Sequence, residues 1–80
     1  MYWTYVIYSS RNDSFYIGHT NNLDDRIKRH NQNRNKYTSG KGPWELMFSK
    51  EFETRTEAMS FEKRLKGFKN PTYLIKNLDL

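Results

Sequence analysis

Few side chains in this 80-residue sequence can do chemistry, and most familiar schemes fail for want of residues. There is no cysteine, which removes disulfides, thiolate zinc sites, iron–sulfur clusters and cysteine nucleophiles. The two histidines, His19 and His30, are too few for a multi-histidine metal site and do not assemble a Ser-His-Asp triad. Four glycines are too sparse for a Walker or dinucleotide loop, and Gly40-Lys41-Gly42 reads either as a weak phosphate signal or as an ordinary flexible turn. What remains suits a polyanion. Net charge is +5, and it is unevenly placed: residues 1–20 carry 0, residues 21–50 carry +4 and residues 51–80 carry +1. A basic segment attracts polyanions, of which nucleic acid is the commonest in a cell.

The segment 31–43, NQNRNKYTSGKGP, concentrates this character. Its Arg34, Lys36 and Lys41 can neutralise phosphates, and Tyr37 can stack on a base. The other candidates are Tyr5, Tyr16, Arg26, His30, Glu62 and Asn77, and each has a structural reading of its own. Two tyrosines on neighbouring strands stabilise a hairpin by roughly 0.2–1 kcal/mol. Arg26 can be a solvated helix cation. His30 can favour a helix dipole, Glu62 can pair with Lys66 at i,i+4, and Asn77 can cap a helix.

The elements that must position these residues follow from patterning. Residues 2–8, YWTYVIY, read as a strand covered on both faces, and 14–19, SFYIGH, as a second strand after the turn cluster SSRND. Pairing Tyr8 with Asp13 across a four-residue loop sets Tyr5 directly opposite Tyr16, on one face. A helix follows, capped by Thr20 or Asn21, with Asp24 and Asp25 at its positive end and Leu23 and Ile27 as its apolar stripe. Arg26 and His30, four apart, share a face of it. Residues 31–43 are a long irregular loop and 44–51 a third strand. Thr54 and Glu57 form a capping box before a helix with Ala58, Phe61, Leu65 and Phe68 at helical spacing. Gly67 lies near its end, and Asn70-Pro71 opens a short last helix. The expected order is β-β-α-β-α-α in one domain, residues 1–80. Thirteen aromatic residues supply the burial that a chain this small needs.

The order and spacing of the candidates carry more than any one of them. Tyr16-Ile17-Gly18 is a YIG motif on a strand, and Tyr5, which ends Trp3-Thr4-Tyr5, lies eleven residues upstream of its tyrosine. Arg26 follows ten residues downstream, and His30 four beyond that. This layout resembles the GIY-YIG nuclease superfamily, and most of all its small stand-alone bacterial branch, similar to the N-terminal nuclease domain of the excision-repair incision subunit. Arg26 to Asn31 (RxxxHN), Lys36 to Thr38 (KYT), Pro43 before a strand, Ala58 with Glu62 (AxxxE) and Lys66 follow that branch's pattern. The first motif departs from it, having Trp and Thr before the tyrosine. Asn77 is matched to the family's late asparagine, with Asn70 as the competing choice.

The resemblance implies an α+β fold, an α/β sandwich with a three-stranded antiparallel sheet flanked by helices. It implies a metal-dependent endonuclease acting on DNA in repair or recombination, with Mg²⁺ or Mn²⁺ as cofactor. Glu62 would be the metal ligand and Arg26 the phosphate-binding group. Tyr5 would be the general base or would orient the attacking water, and Tyr16 would position water or phosphate. His30 would bond to Tyr5 or take part in proton transfer, Gly18 would leave substrate approach unblocked, and Asn77 would bind the phosphate backbone. RNA is an open alternative substrate. A competing reading is a non-catalytic or partner-dependent nucleic-acid-binding module on the same fold, recruited by a repair protein. The sequence has no apolar run approaching a ~20-residue membrane span and no signal-peptide pattern, so a soluble cytoplasmic domain is expected.

Overall fold

A computed structural model describes residues 1–32 and 38–67. They form β1 (Tyr2–Ser9), β2 (Ser14–Thr20), α1 (Leu23–Asn31), β3 (Glu45–Phe52) and α2 (Arg55–Lys66). The strands make one antiparallel sheet in the order β2-β1-β3. The α+β architecture with a three-stranded antiparallel sheet is as expected. The expected last helix and Phe68 lie outside the described residues.

The aromatic, β-branched run of β1 becomes the central strand. Thr4, Tyr5, Val6 and Ile7 are all fully buried, because the alternating side chains meet a different partner on each face. Tyr5 and Ile7 join Trp44 on the α1 side, packed by Tyr16, Leu23 and Ile27. Val6 joins Ile17 and Leu65 on the α2 side, packed by Phe15, Phe48 and Phe61. Thr4, a polar residue on that second face, donates its hydroxyl to the Ala58 carbonyl of α2 at 2.7 Å, so its burial leaves nothing unpaired.

The hairpin register differs from expectation by two residues. Ser9 pairs with Ser14, so Tyr5 faces Gly18 and Tyr16 faces Ile7. Asp13 is the cause. It sits at φ 50°, a left-handed conformation that Asp tolerates in turns, and so ends the loop instead of opening the strand. A shift of two preserves the face of every side chain, because strand periodicity is two. Tyr5 and Tyr16 therefore still share a face, as diagonal neighbours with ring centroids 6.3 Å apart.

Both helices begin where a side chain caps them. The first cap is Asn22, one or two residues later than expected, and it accepts from the Asp25 amide at 3.1 Å. Thr20 instead bonds Asn22 itself, accepting from its amide at 3.1 Å. The Asp25–Arg29 pair forms at 3.0 Å. The Thr54–Glu57 capping box is present, and Gly67 is the C-cap of α2. β3 begins one residue later than expected, and Trp44 before it turns into the core, 5% exposed.

Candidate active site

The central strand delivers Tyr5 into the interior beside α1. Its hydroxyl is 2.8 Å from Nε2 of His30, which α1 presents from its last turn. The other ring nitrogen, Nδ1, is 2.7 Å from Oγ1 of Thr38. The Tyr16 ring lies 4.9 Å from the His30 ring. Arg26, one turn before His30, acts electrostatically on both: its charge helps to lower the His30 pKa and pulls the Tyr5 pKa down. Four of the expected residues, Tyr5, Tyr16, Arg26 and His30, are thus assembled on one face of the sheet.

Burial decides the protonation of this cluster. Desolvation, with the Arg26 charge, depresses His30 to about 4, so its ring is neutral at physiological pH. Tyr5 is pushed well above the ordinary phenol range by burial first, then by Tyr16, and in small part by Glu62, while Arg26 pulls the other way. Tyr5 is therefore a phenol in the resting protein, not a phenolate.

At Gly18 the missing side chain leaves room for a neighbouring ring. A Cβ there would lie 2.7 Å from Tyr5 Oη, 2.9 Å from Tyr5 Cζ and 3.1 Å from Tyr16 Cε1. The space above this glycine is filled by the hydroxyl end of Tyr5 and is not an open path for substrate. Gly18 is what allows the Tyr5 ring to lie across the neighbouring strand and reach His30.

Glu62 occupies the other side. Strand alternation turns Ile17 and His19 toward α2, and His19 Nδ1 donates to Glu62 Oε1 at 2.5 Å. Lys66, one helical turn on, donates to Oε2 at 2.6 Å. Burial raises the Glu62 pKa, but the hydrogen bonds from Lys66 and His19, with their charges, outweigh it and leave the carboxyl below its ordinary range. Glu62 opens onto a cleft of about 510 Å³, lined also by Met59, Ser60 and Lys63. The Glu62 charge is felt at Tyr5, which links the two clusters electrostatically.

The functional reading of the sequence gave no role to His19, and quoted Asn31 and Thr38 only as the ends of motif matches. His19 entered only as a count against metal sites, although alternation from Tyr16 already sets it on the face opposite the tyrosines. Asn31 brackets Trp44: its Oδ1 accepts from the Trp44 amide at 2.5 Å, and its Nδ2 donates to the Trp44 carbonyl at 3.1 Å. Lys41 is exposed on a turn docked to the β1–β2 hairpin, where its carbonyl accepts from the Ser9 hydroxyl and the Asn12 amide. Arg34, Lys36, Tyr37, Asn70 and Asn77 lie outside the described residues. Among the described residues, no three His, Asp or Glu side chains converge as a metal cluster, and no helix is long and apolar enough to cross a membrane.

Comparison with known proteins matches the same region. The model of the GIY-YIG catalytic domain family matches residues 1–77. A UPF0213 protein of Oceanobacillus iheyensis is 39% identical over 66 residues, covering 81% of this chain and 76% of that one. UPF0213 protein YazA of Bacillus subtilis is 36% identical over 74 residues, covering 88% and 75%. The solution NMR structure of a UPF0213 protein from Bacillus halodurans superimposes with a TM-score of 0.55 at 32% identity, covering 91% of this chain and 79% of that one.

Proposed function

The chain belongs to the GIY-YIG catalytic domain family, and on that premise we propose that it is an endonuclease that hydrolyses DNA phosphodiester bonds with a divalent cation, Mg²⁺ or Mn²⁺. The observation that carries this reading is the 2.8 Å contact between the Tyr5 hydroxyl and His30 Nε2, with the Arg26 guanidinium acting on the same hydroxyl.

A phenol held this far above its ordinary pKa is a poor base alone, and the pair resolves the difficulty. The attacking water passes a proton to Tyr5 Oη while the Tyr5 proton moves to His30 Nε2, so no free phenolate accumulates. The depressed His30 pKa keeps that nitrogen unprotonated and ready at neutral pH. Arg26 binds the scissile phosphate with its planar fork and faces the charge that grows on the phosphorane. Tyr16, its ring tilted 57° against that of His30, orients water or phosphate.

Glu62 fits a hard cation of the Mg²⁺ type. Such ions are held by one or two carboxylates, with water and phosphate oxygens completing the shell. Both Glu62 oxygens are occupied, but Lys66 is 54% exposed on a flexible stem and can yield Oε2, while His19 keeps the carboxylate oriented through Oε1. A cation there would supply charge stabilisation to the departing 3′ oxygen. Lys63 at the lip of the cleft, the turn at Lys41 and the cations Arg34 and Lys36 would neutralise flanking phosphates, with Tyr37 stacking on a base. Asn77 would assist at the backbone. A role in repair or recombination, and a partner that delivers the substrate, follow from the same reading.

The test uses labelled duplex, single-stranded, flap and branched DNA with Mg²⁺ or Mn²⁺, beside Glu62→Ala and Arg26→Ala. Metal-dependent cutting is expected, falling by about 10²–10³-fold in each variant with the fold unchanged by circular dichroism. Undiminished cutting in a variant removes that residue from the mechanism. If no substrate is cut by the folded wild type but DNA is bound, the alternative reading as a nucleic-acid-binding module takes its place.

A further inference from the structure

The charged group on the α2 side sets a nitrogen donor beside an oxygen donor, on elements that the fold fixes against each other. His19 sits on β2 opposite Thr4 of β1. Thr4 in turn donates to the Ala58 carbonyl of α2, one helical turn before Glu62, at 2.7 Å. Ile17, two residues before His19, packs with Leu65, three residues after Glu62. The approach of His19 Nδ1 to Glu62 Oε1 is therefore held by β1, β2 and α2 together. Such support is what a ligand set needs to keep its geometry. Both side chains are partly exposed and line the cleft with Thr56, Met59 and Ser60, so an ion from solvent can reach them.

Charge alone is a weak lure at this place. Lys66 stands 2.6 Å from Oε2 and Lys63 lines the same cleft, so the carboxylate charge is already met. A hard ion such as Mg²⁺, which is held by charged oxygens and sheds water reluctantly, gains little there. The nitrogen changes the balance, because imidazole suits ions of the Zn²⁺ and Ni²⁺ class. Two donors at a right angle on one such ion, each about 2.1 Å from it, stand about 3 Å apart. That is slightly wider than the present 2.5 Å hydrogen bond, and a small turn of either side chain opens it. The ion then takes the place of the proton between Nδ1 and Oε1, and the neutral ring carries its one N–H on Nε2.

We propose that His19 is a metal ligand as well as a brace for Glu62, and that the two form a nitrogen–oxygen site that prefers imidazole-binding divalent cations to Mg²⁺. Ni²⁺ and Zn²⁺ bind above Mn²⁺, and Mn²⁺ above Mg²⁺. This rests on Glu62 as the cation ligand of the proposed nuclease; it does not need DNA to be cut.

Zn²⁺ is titrated into ¹⁵N-labelled, metal-free protein, and the imidazole nitrogens are followed by two-bond NMR correlation. The His19 Nδ1 signal is expected to move to the metal-bound range, with the His19 and Glu62 amides, while the signals of buried His30 stay in place. Calorimetry is expected to show Zn²⁺ and Ni²⁺ binding roughly a hundredfold or more above Mg²⁺. His19→Asn keeps an N–H near the place of Nδ1, so it can still hold Glu62, but it offers no ring lone pair. It is expected to weaken Zn²⁺ about tenfold or more and Mg²⁺ far less, whereas Glu62→Gln weakens both. A His19 ring that does not move at saturating Zn²⁺ overturns the proposal, as does unchanged Zn²⁺ affinity in His19→Asn. An equal loss of both cations in His19→Asn also overturns it and leaves His19 a brace alone. If His19→Asn does not fold, the wild-type ring signals and the Zn²⁺ to Mg²⁺ ratio still decide. Zn²⁺ held by His19 and Glu62 in a folded protein that cuts no DNA with any cation overturns the nuclease reading and leaves the site standing. Mg²⁺-dependent cutting by a protein whose His19 ring ignores Zn²⁺ does the reverse.

Discussion

The two sides of the sheet handle polar groups in opposite ways. On the α1 side, Tyr5, His30 and Thr38 are buried, neutral and bonded to one another. On the α2 side, Glu62, His19 and Lys66 have side chains 17%, 26% and 54% exposed, and they meet as a charged group at the edge of a cleft. The difference follows from what each can do. Moving a proton needs fixed donors and acceptors that water does not scramble, which burial provides. On the proposed reading, holding a cation and a phosphate needs access and a carboxylate whose counter-charge can move away, which burial would penalise. One peptide step joins the two regimes: Gly18 faces the first side and makes room for Tyr5, while His19 faces the second and holds Glu62.

This contrast can be broken most forcefully with pH. His30 titrates at an ordinary value of 6.5 when unfolded and at about 4 when folded. Between those values the unfolded chain binds the extra proton, so folding stability declines as pH falls from 6.5 to 4 and His30 adds no further slope below that. At about 1.4 kcal/mol per unit the loss is about 3 kcal/mol. Urea denaturation of wild type and His30→Gln across this range isolates it as a difference, since the other titrating groups are common to both. A profile of the same shape in the two proteins would show that the α1 side is wetter than its packing implies.

Gly18→Ala sharpens the comparison from the backbone. The new methyl must displace the hydroxyl end of a buried tyrosine that is itself bonded to His30, and such overpacking typically costs 1–3 kcal/mol. A drop in thermal midpoint with loss of cleavage is expected, together with a downfield or upfield move of the Tyr5 and His30 NMR signals but not those of Glu62. Adding Tyr5→Phe removes the contact at 2.7 Å and leaves the one at 2.9 Å, so stability returns only in part. Full tolerance of Gly18→Ala would mean that Tyr5 has room to move and that its place over the glycine is not fixed.

How much of this could be read from the sequence differs between the two sides. The strand and helix pattern was legible because YWTYVIY, the Thr54–Glu57 box and the 58–61–65 spacing are local signals. The face shared by Tyr5 and Tyr16 was legible even though the register was not, since a two-residue shift leaves faces unchanged. The register depended on Asp13 adopting a left-handed conformation, which no alternation pattern reveals. Spacing set Tyr5 and Tyr16 on one strand face and Arg26 and His30 on one helix face; that the two pairs meet was implied only by the family resemblance. Thr38 and His19 were hidden for a different reason: each acts on a residue eight or more positions away, and only the docking of a loop or a helix brings the partners together.

The smallest expected effect lies on the open side, at Lys66. Its ammonium is half exposed, so removing it with Lys66→Ala should cost a few tenths to about 1 kcal/mol of stability, fading at high salt. The pH window differs from that of His30. The Glu62 carboxyl sits below its ordinary value of 4.5, so its contribution is complete above that pH and is lost as pH falls through the lower folded value. Without Lys66 that loss begins at higher pH. Lys66 also competes for Oε2 with any cation on Glu62, so the variant should bind Mn²⁺ about two- to fivefold more tightly, the ratio equivalent to about 1 kcal/mol or less. Paramagnetic broadening of signals around Glu62 reads this directly. Weaker binding in the variant would make Lys66 a helper at the cation site, and the α2 side would then be a preformed centre instead of one that opens when its internal counter-charge moves away.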